Sequence, residues 1–196
     1  MKTCSEFLAE KIPSFVDATA ECPVKPESLR FVTMANERAF EGVVVHHSGV
    51  MRADSPAGIA NWLFKEHGWP MSYHFLIPMT GDRVYQCKIP EVRSAHCGSK
   101  YGNLRMLAIC LEGNWVGQPP HKEQLKLLND LLRWLEVWRG RSFGLVPHKA
   151  ISSTVCPGMA VDSMKLFTRM RLGLVSAQTK AIIDIIRKKI ETREVN

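Results

Sequence analysis

Gly42-Val43-Val44-Val45-His46-His47-Ser48-Gly49 is the stretch on which the fold turns. Three consecutive β-branched valines favour an extended backbone, and an apolar run of this length suits a buried strand. Side chains alternate along a strand, so His46 and His47 point to opposite faces. Only one of the pair can serve a site on a given face.

The elements on either side follow from punctuation and period. Ser55-Pro56 is an N-cap followed by Pro at the first helical position, predicting a helix to about His67, with Gly68 as its stop. Residues 73–78 read as a strand; Thr80-Gly81-Asp82 is a turn, and residues 83–86 pair back as a hairpin. Residues 106–111 form another apolar strand. Pro119-Pro120 precedes a periodic helix whose buried face carries Leu125, Leu128, Leu132, Leu135 and Trp138. Leu145-Val146 is a short strand leading into His148. Helices are predicted over 161–170 and 176–192. Residues 1–19 read as one amphipathic helix built on Phe7, Leu8, Ile12 and Phe15, and Cys22-Pro23-Val24-Lys25-Pro26 as an extended connector. The sum is a mixed β-sheet with helices packed on it, an α/β or α+β domain; the form expected is α/β, with helices packed on both sides of the sheet. It divides into an N-terminal extension (1–40), a compact domain (41–168) and a basic amphipathic C-terminal helix (169–196).

Composition narrows the class. The chain has 196 residues, enough for one domain, with 45% hydrophobic and 23% charged residues, which excludes disordered and fibrous chains. No apolar run is long enough to span a bilayer. Six cysteines are too dilute for a disulfide-built scaffold. Cys4 and Cys22 flank the first helical stretch and would pair only in an oxidising compartment. Lys2, Glu6, Glu10 and Lys11 interrupt any secretory apolar core, so synthesis in the cytoplasm without a signal peptide is expected. The net charge of +7 favours anionic partners. No helix-turn-helix, zinc finger or RNA-recognition motif is present, so nucleic acid is not expected among them. The segment 166–196 is the most basic for its length, with seven Lys/Arg against three Asp/Glu. In its last helix Ile182, Ile183, Ile186 and Ile190 form an apolar stripe beside Lys180, Arg187, Lys188, Lys189 and Arg193. Such a helix either packs on the domain or touches anionic envelope lipid.

The residues with the most specific chemistry are widely separated. The His46-His47 pair ends one strand, His148 follows another, and Cys156 comes eight residues after His148. Two imidazoles and a thiolate suit a zinc ion with a fourth position left for water. Buried histidines and an inert buried cysteine are the structural alternative.

Five blocks then occur in order: Val43 to Gly49, Ser72-Tyr73-His74-Phe75-Leu76-Ile77, Ser94-Ala95-His96-Cys97-Gly98, Ile109-Cys110-Leu111-Glu112-Gly113, and His148 with Thr154-Val155-Cys156-Pro157-Gly158. Together they resemble the zinc-dependent N-acetylmuramoyl-L-alanine amidases of the type 2 amidase and peptidoglycan-recognition fold, nearest the amidase-type phage lysozymes. The resemblance covers about residues 41–168. It implies Zn2+ as cofactor, held by His46, His148 and Cys156, with His47 structural. It implies a catalytic tyrosine at Tyr73. The phage lysozymes place lysine where Thr154 stands; catalytic recognition proteins carry threonine there, which gives Thr154 an oxyanion-side role. His96 is implied as a substrate contact beside the cleft and Glu112 as a substrate or supporting residue; His74 reads as core. Cys110 stands where cytosolic recycling amidases carry glutamate. The implied reaction is hydrolysis of the bond between N-acetylmuramic acid and L-alanine of peptidoglycan. The missing signal, set beside an extracellular substrate, points to a phage endolysin, expected as a monomer and released to the cell wall by a holin-type partner. A non-catalytic peptidoglycan-binding module is the alternative.

Overall fold

The computed structural model describes residues 3–22, 40–51, 55–140 and 143–158. In chain order these form α1 (Cys4–Lys11), β1 (Phe15–Asp17), β2 (Gly42–His47), α2 (Pro56–His67), β3 (Phe75–Ile77), β4 (Val84–Gln86), α3 (Lys100–Arg105), β5 (Met106–Leu111), α4 (Lys122–Arg139) and β6 (Gly144–Pro147). The six described strands make one mixed sheet in the order β1-β4-β3-β5-β2-β6. Among them only the β3–β4 hairpin is antiparallel; β1–β4, β3–β5, β2–β5 and β2–β6 are parallel. No described helix is long and apolar enough to cross a membrane.

Alternation along β2 and β5 divides the core between the two faces of the sheet. Val43, Val45, Leu107, Ile109 and Leu111 point to one face, where Leu8 of α1 and Leu128, Leu131, Leu132 and Leu135 of α4 cover them. Leu76 and Cys110 point to the other, beneath Ile59, Ala60 and Leu63 of α2; Val44, Met106 and Val146 lie on a third cluster near α3. The expected α/β architecture with helices on both faces is therefore present.

The predicted caps are also in place. The Gly58 amide donates to the Ser55 hydroxyl at 3.0 Å. Gly68 ends α2 with φ +66, the left-handed conformation in which glycine carries no Cβ penalty.

The N-terminal expectations need correction. Residues 1–19 are not one helix: α1 stops at Lys11, Ile12 is extended, and β1 follows. Pro13 accounts for the break, because the residue before a proline is pushed out of the helical region. The described part of the extension, residues 3–22, packs into the domain. Cys4, Leu8 and Ile12 belong to the largest core cluster, and β1 forms the sheet edge beside β4. Cys4 and Cys22 are not partners: Cys4 lies in the α1/α4 core and Cys22 in the α2 cluster with Cys87. None of the six cysteines is in a disulfide. The helices predicted after residue 160 lie outside the described residues.

Candidate metal centre

Sheet register assembles the site. Val45 pairs with Pro147 across the parallel β2–β6 ladder, so His46 and His148 emerge side by side where both strands end. Their ring centroids are 4.5 Å apart. Cys156 returns from the following loop, tied down where the Lys149 amide donates to the Cys156 carbonyl at 2.7 Å. The His47 amide donates to Cys156 Sγ at 3.3 Å. The ligand atoms of His46, His148 and Cys156 all lie within 4.8 Å of one another. His47 turns away, its Nδ1 accepting the Trp115 amide at 3.2 Å. Strand alternation thus separates His46, which joins the cluster, from His47, which does not.

The electrostatics suit a cation. Burial, followed by the neighbouring imidazoles His96 and His148, pushes His46 well below the usual histidine range. Burial brings His148 down to about 4. Both are neutral at neutral pH, the form that ligates metal. Burial pushes the Cys156 thiol up to about 11, an effect a bound divalent cation opposes by stabilising the thiolate. Both ring nitrogens of His148 are buried without a hydrogen-bond partner. A buried imidazole left wholly unpaired is costly, and a metal ion satisfies it. The two-nitrogen, one-sulfur set fits zinc with one position open.

His46 is held from behind. Its Nε2 lies 3.0 Å from His96 Nδ1, while its Nδ1 faces Cys156 Sγ at 3.9 Å. A ligating histidine bonded through its other nitrogen has its ring orientation fixed. His96 lines the cleft as expected, but it is only 9% exposed and its ring is bonded to His46. It therefore supports a ligand rather than presenting a free surface contact.

The cluster floors a cleft of about 220 Å3. Tyr73 and Thr154 line it. The Tyr73 ring lies 5.3 Å from that of His46. Burial, then the nearby Cys110 and Cys156 thiols, raises its phenol well above the ordinary tyrosine value, so it stays a hydrogen-bond donor. Thr154 Oγ1 accepts the Cys156 amide at 3.1 Å, leaving its own proton for another acceptor.

Glu112 departs from expectation. It is 1% exposed and outside the cleft lining. Its carboxylate accepts the Met79 amide at 2.9 Å and its carbonyl accepts from Gln124 Nε2 at 2.9 Å. It ties the β3–β4 turn to the end of β5, a structural task in place of the expected substrate contact. His74 is core, as expected, with Nε2 2.8 Å from the Val92 carbonyl and Nδ1 accepting the Ala108 amide at 2.9 Å. Sequence reasoning missed Trp62, His67 and Trp69, which also line the cleft. The signal was present: four rings, Trp62, Phe64, His67 and Trp69, fall within eight residues around the end of α2.

A mixed sheet that delivers two imidazoles and a thiol to the floor of a cleft defines an α/β domain with a candidate metal centre. Residues 36–159 match the N-acetylmuramoyl-L-alanine amidase family, and the chain belongs to it. No curated protein gives a significant match. Among solved structures, the chain is similar to an endolysin N-acetylmuramoyl-L-alanine amidase from Clostridium intestinale, with 22% identity, 83% of this chain and 98% of that one covered, and a TM-score of 0.64. It is also similar to a mutant of Drosophila peptidoglycan recognition protein LB in complex with tracheal cytotoxin, with 22% identity, coverage of 76% and 90%, and a TM-score of 0.60. A complex of the recognition-protein ectodomains LCa and LCx with the same ligand aligns at 19% identity, coverage of 80% and 96%, and a TM-score of 0.65. At these identities the structures establish a shared fold.

Proposed function

We propose that the protein is a zinc-dependent peptidoglycan amidase that hydrolyses the bond between the lactyl group of N-acetylmuramic acid and L-alanine of the stem peptide. The observation that carries this reading is the convergence of His46, His148 and Cys156 within 4.8 Å, on the floor of a cleft that Tyr73 and Thr154 also line. Zinc held by those three residues would supply Lewis acidity toward the amide carbonyl and acidify water.

The chain's own groups do the rest. His46 and His148 are kept neutral by burial and so are ready to ligate. His96 holds the His46 ring at its far nitrogen. Tyr73 donates its phenolic proton to the oxyanion that develops on the scissile carbonyl. Thr154, its oxygen already accepting the Cys156 amide, directs its hydroxyl proton into the cleft as a second donor. The net charge of +7 draws the protein to an anionic polymer.

In this reading the protein is a monomeric phage endolysin, made in the cytoplasm and reaching the cell wall through a holin-type partner. The basic segment 169–196 adds attraction to anionic envelope lipid. The test is release of soluble fragments from dye-labelled peptidoglycan. The zinc-loaded protein should release dye, a chelator should stop release, and added zinc should restore it. Binding to the wall with no release under any zinc condition would overturn the enzyme reading in favour of a binding module.

A further inference from the structure

We propose that Cys22 and Cys87 are an exchange-active thiol pair, which closes to an intramolecular disulfide on reaction with a low-molecular-weight disulfide and so staples the N-terminal extension to the end of β4.

Sheet register brings the two together. β1 and β4 run parallel with Asp17 opposite Gln86, so both strands end at the same level. The Ala18 amide still donates to the Gln86 carbonyl at 2.9 Å. A single 3-10 turn, Thr19–Glu21, then folds the chain back, closed where the Cys22 amide donates to the Thr19 carbonyl at 3.3 Å. Cys87 is the residue after β4, and its amide donates to the His74 carbonyl at 2.8 Å. Cys22 and Cys87 thereby meet in one apolar cluster, with Leu76 and Cys110 beside them. Packing accounts for a buried thiol, but not for two in hydrogen-bond contact next to a lysine.

The two thiols are not equivalent. The Cys87 thiol donates to the Cys22 sulfur, and this bond, against burial and the Glu21 charge and with help from Lys88, lowers Cys22 from the ordinary thiol value. The same contact, followed by burial, raises Cys87 well above it. Lys88 directly follows Cys87; its ammonium donates to Ser94 Oγ at 3.3 Å, and burial brings it down to about 8. Cys22 is therefore the attacking sulfur and Cys87 the resolving one. Access to Cys22 runs through the turn, where Ala20 and Glu21 are exposed and only three residues need to open. Cys110, the third thiol of the cluster, is occupied by its hydrogen bond with the Tyr73 phenol.

The exchange balances with glutathione disulfide as the oxidant. The Cys22 thiolate attacks one glutathione sulfur, forming a mixed disulfide and expelling one glutathione thiolate. The Cys87 thiolate then attacks Cys22 Sγ and expels the second. The protons from Cys22 and Cys87 go to the two released glutathiones, so two protein thiols are oxidised and one glutathione disulfide is reduced. The new bond closes the loop from residue 22 to residue 87, which carries β2, α2 and β3. Closing so long a loop restricts the unfolded chain.

The test incubates the full-length, zinc-loaded protein with oxidised glutathione, blocks remaining thiols, and reads intact mass, peptide map and thermal midpoint. None of these readouts involves turnover, so the result is independent of the amidase reading. The wild type should lose the mass of two hydrogens, yield a Cys22 peptide joined to a Cys87 peptide, and melt about 4–16 °C higher until reduced by dithiothreitol. Cys87→Ala should stop at a glutathione adduct on Cys22, and Cys22→Ala should leave Cys87 unmodified. In wild type, no reaction, an adduct that never closes, a link between any other pair, or a closed form that melts no higher than the reduced one would each overturn the proposal. An adduct on Cys87 in Cys22→Ala would overturn the assigned order of attack.

Discussion

Replacing His74 with leucine should lower folding stability and also change its dependence on pH. His74 is 1% exposed and bonded on both ring nitrogens. The Val92 carbonyl requires a proton on Nε2, and the Ala108 amide requires a lone pair on Nδ1. Only the neutral Nε2–H tautomer satisfies both. Leucine leaves a buried amide and a half-buried carbonyl unpaired, the amide costing about 1–3 kcal/mol and the carbonyl less, and regains part by apolar burial; the expected loss is about 1–3 kcal/mol.

The pH dependence follows from the same geometry. Burial first, then the Lys88 charge, hold His74 at about 3, against 6.5 for the unfolded group. Between those values the unfolded state binds the extra proton, so stability rises with pH and is lost as pH falls below 6.5. One such group removes about 1.4 kcal/mol at about pH 5.5 and about 2.7 kcal/mol at about pH 4.5. The leucine variant lacks this proton. Its deficit relative to wild type should therefore shrink by those amounts on acidification. Urea unfolding of both metal-free proteins from neutral pH to about pH 4.5 reads the gap. A gap that stays constant across this range would refute the neutral, doubly bonded His74.

Tyr73→Phe should fold normally and retain zinc while losing on the order of 10²-fold in kcat on peptidoglycan; unchanged turnover in the zinc-replete variant would remove the phenol from the mechanism. Cys156→Ser replaces a thiolate with a poor neutral ligand, so elemental analysis after gentle purification should find well under one zinc per chain, against one in wild type. Leu8→Ala should cost about 2–5 kcal/mol in urea unfolding, because Leu8 is fully buried in the α1/α4 core; a negligible change would mean that the N-terminal helix is dispensable to the fold.

The strands and helices that frame the site were legible because each carried local punctuation. Three valines, the Ser55 cap and Gly68, and the leucine period of α4 fixed β2, α2 and α4 within a residue or two. The β2 alternation also separated His46 from His47. What brings His148 to His46 is the parallel β2–β6 register, a pairing about one hundred residues apart that no local pattern encodes; the family resemblance supplied it. β1 was lost because three residues are too few to show alternation, and the helical spacing of Phe7, Leu8 and Ile12 ran on into Phe15 across Pro13. Glu112 was misplaced for a related reason. Position after a site-lining strand gives no direction to a side chain once the strand has ended, and the free Met79 amide determined where its carboxylate went.

The central claim is the identity of the bond cut. Purified peptidoglycan should be incubated with the zinc-loaded protein, and the soluble products resolved by mass spectrometry. The expected products are intact stem peptides with free L-alanine amino termini and glycan strands bearing unsubstituted lactyl carboxylates, with neither formed by Cys156→Ser. Cleavage within the stem or between sugars, or no cleavage by a protein that holds one zinc per chain, would contradict it.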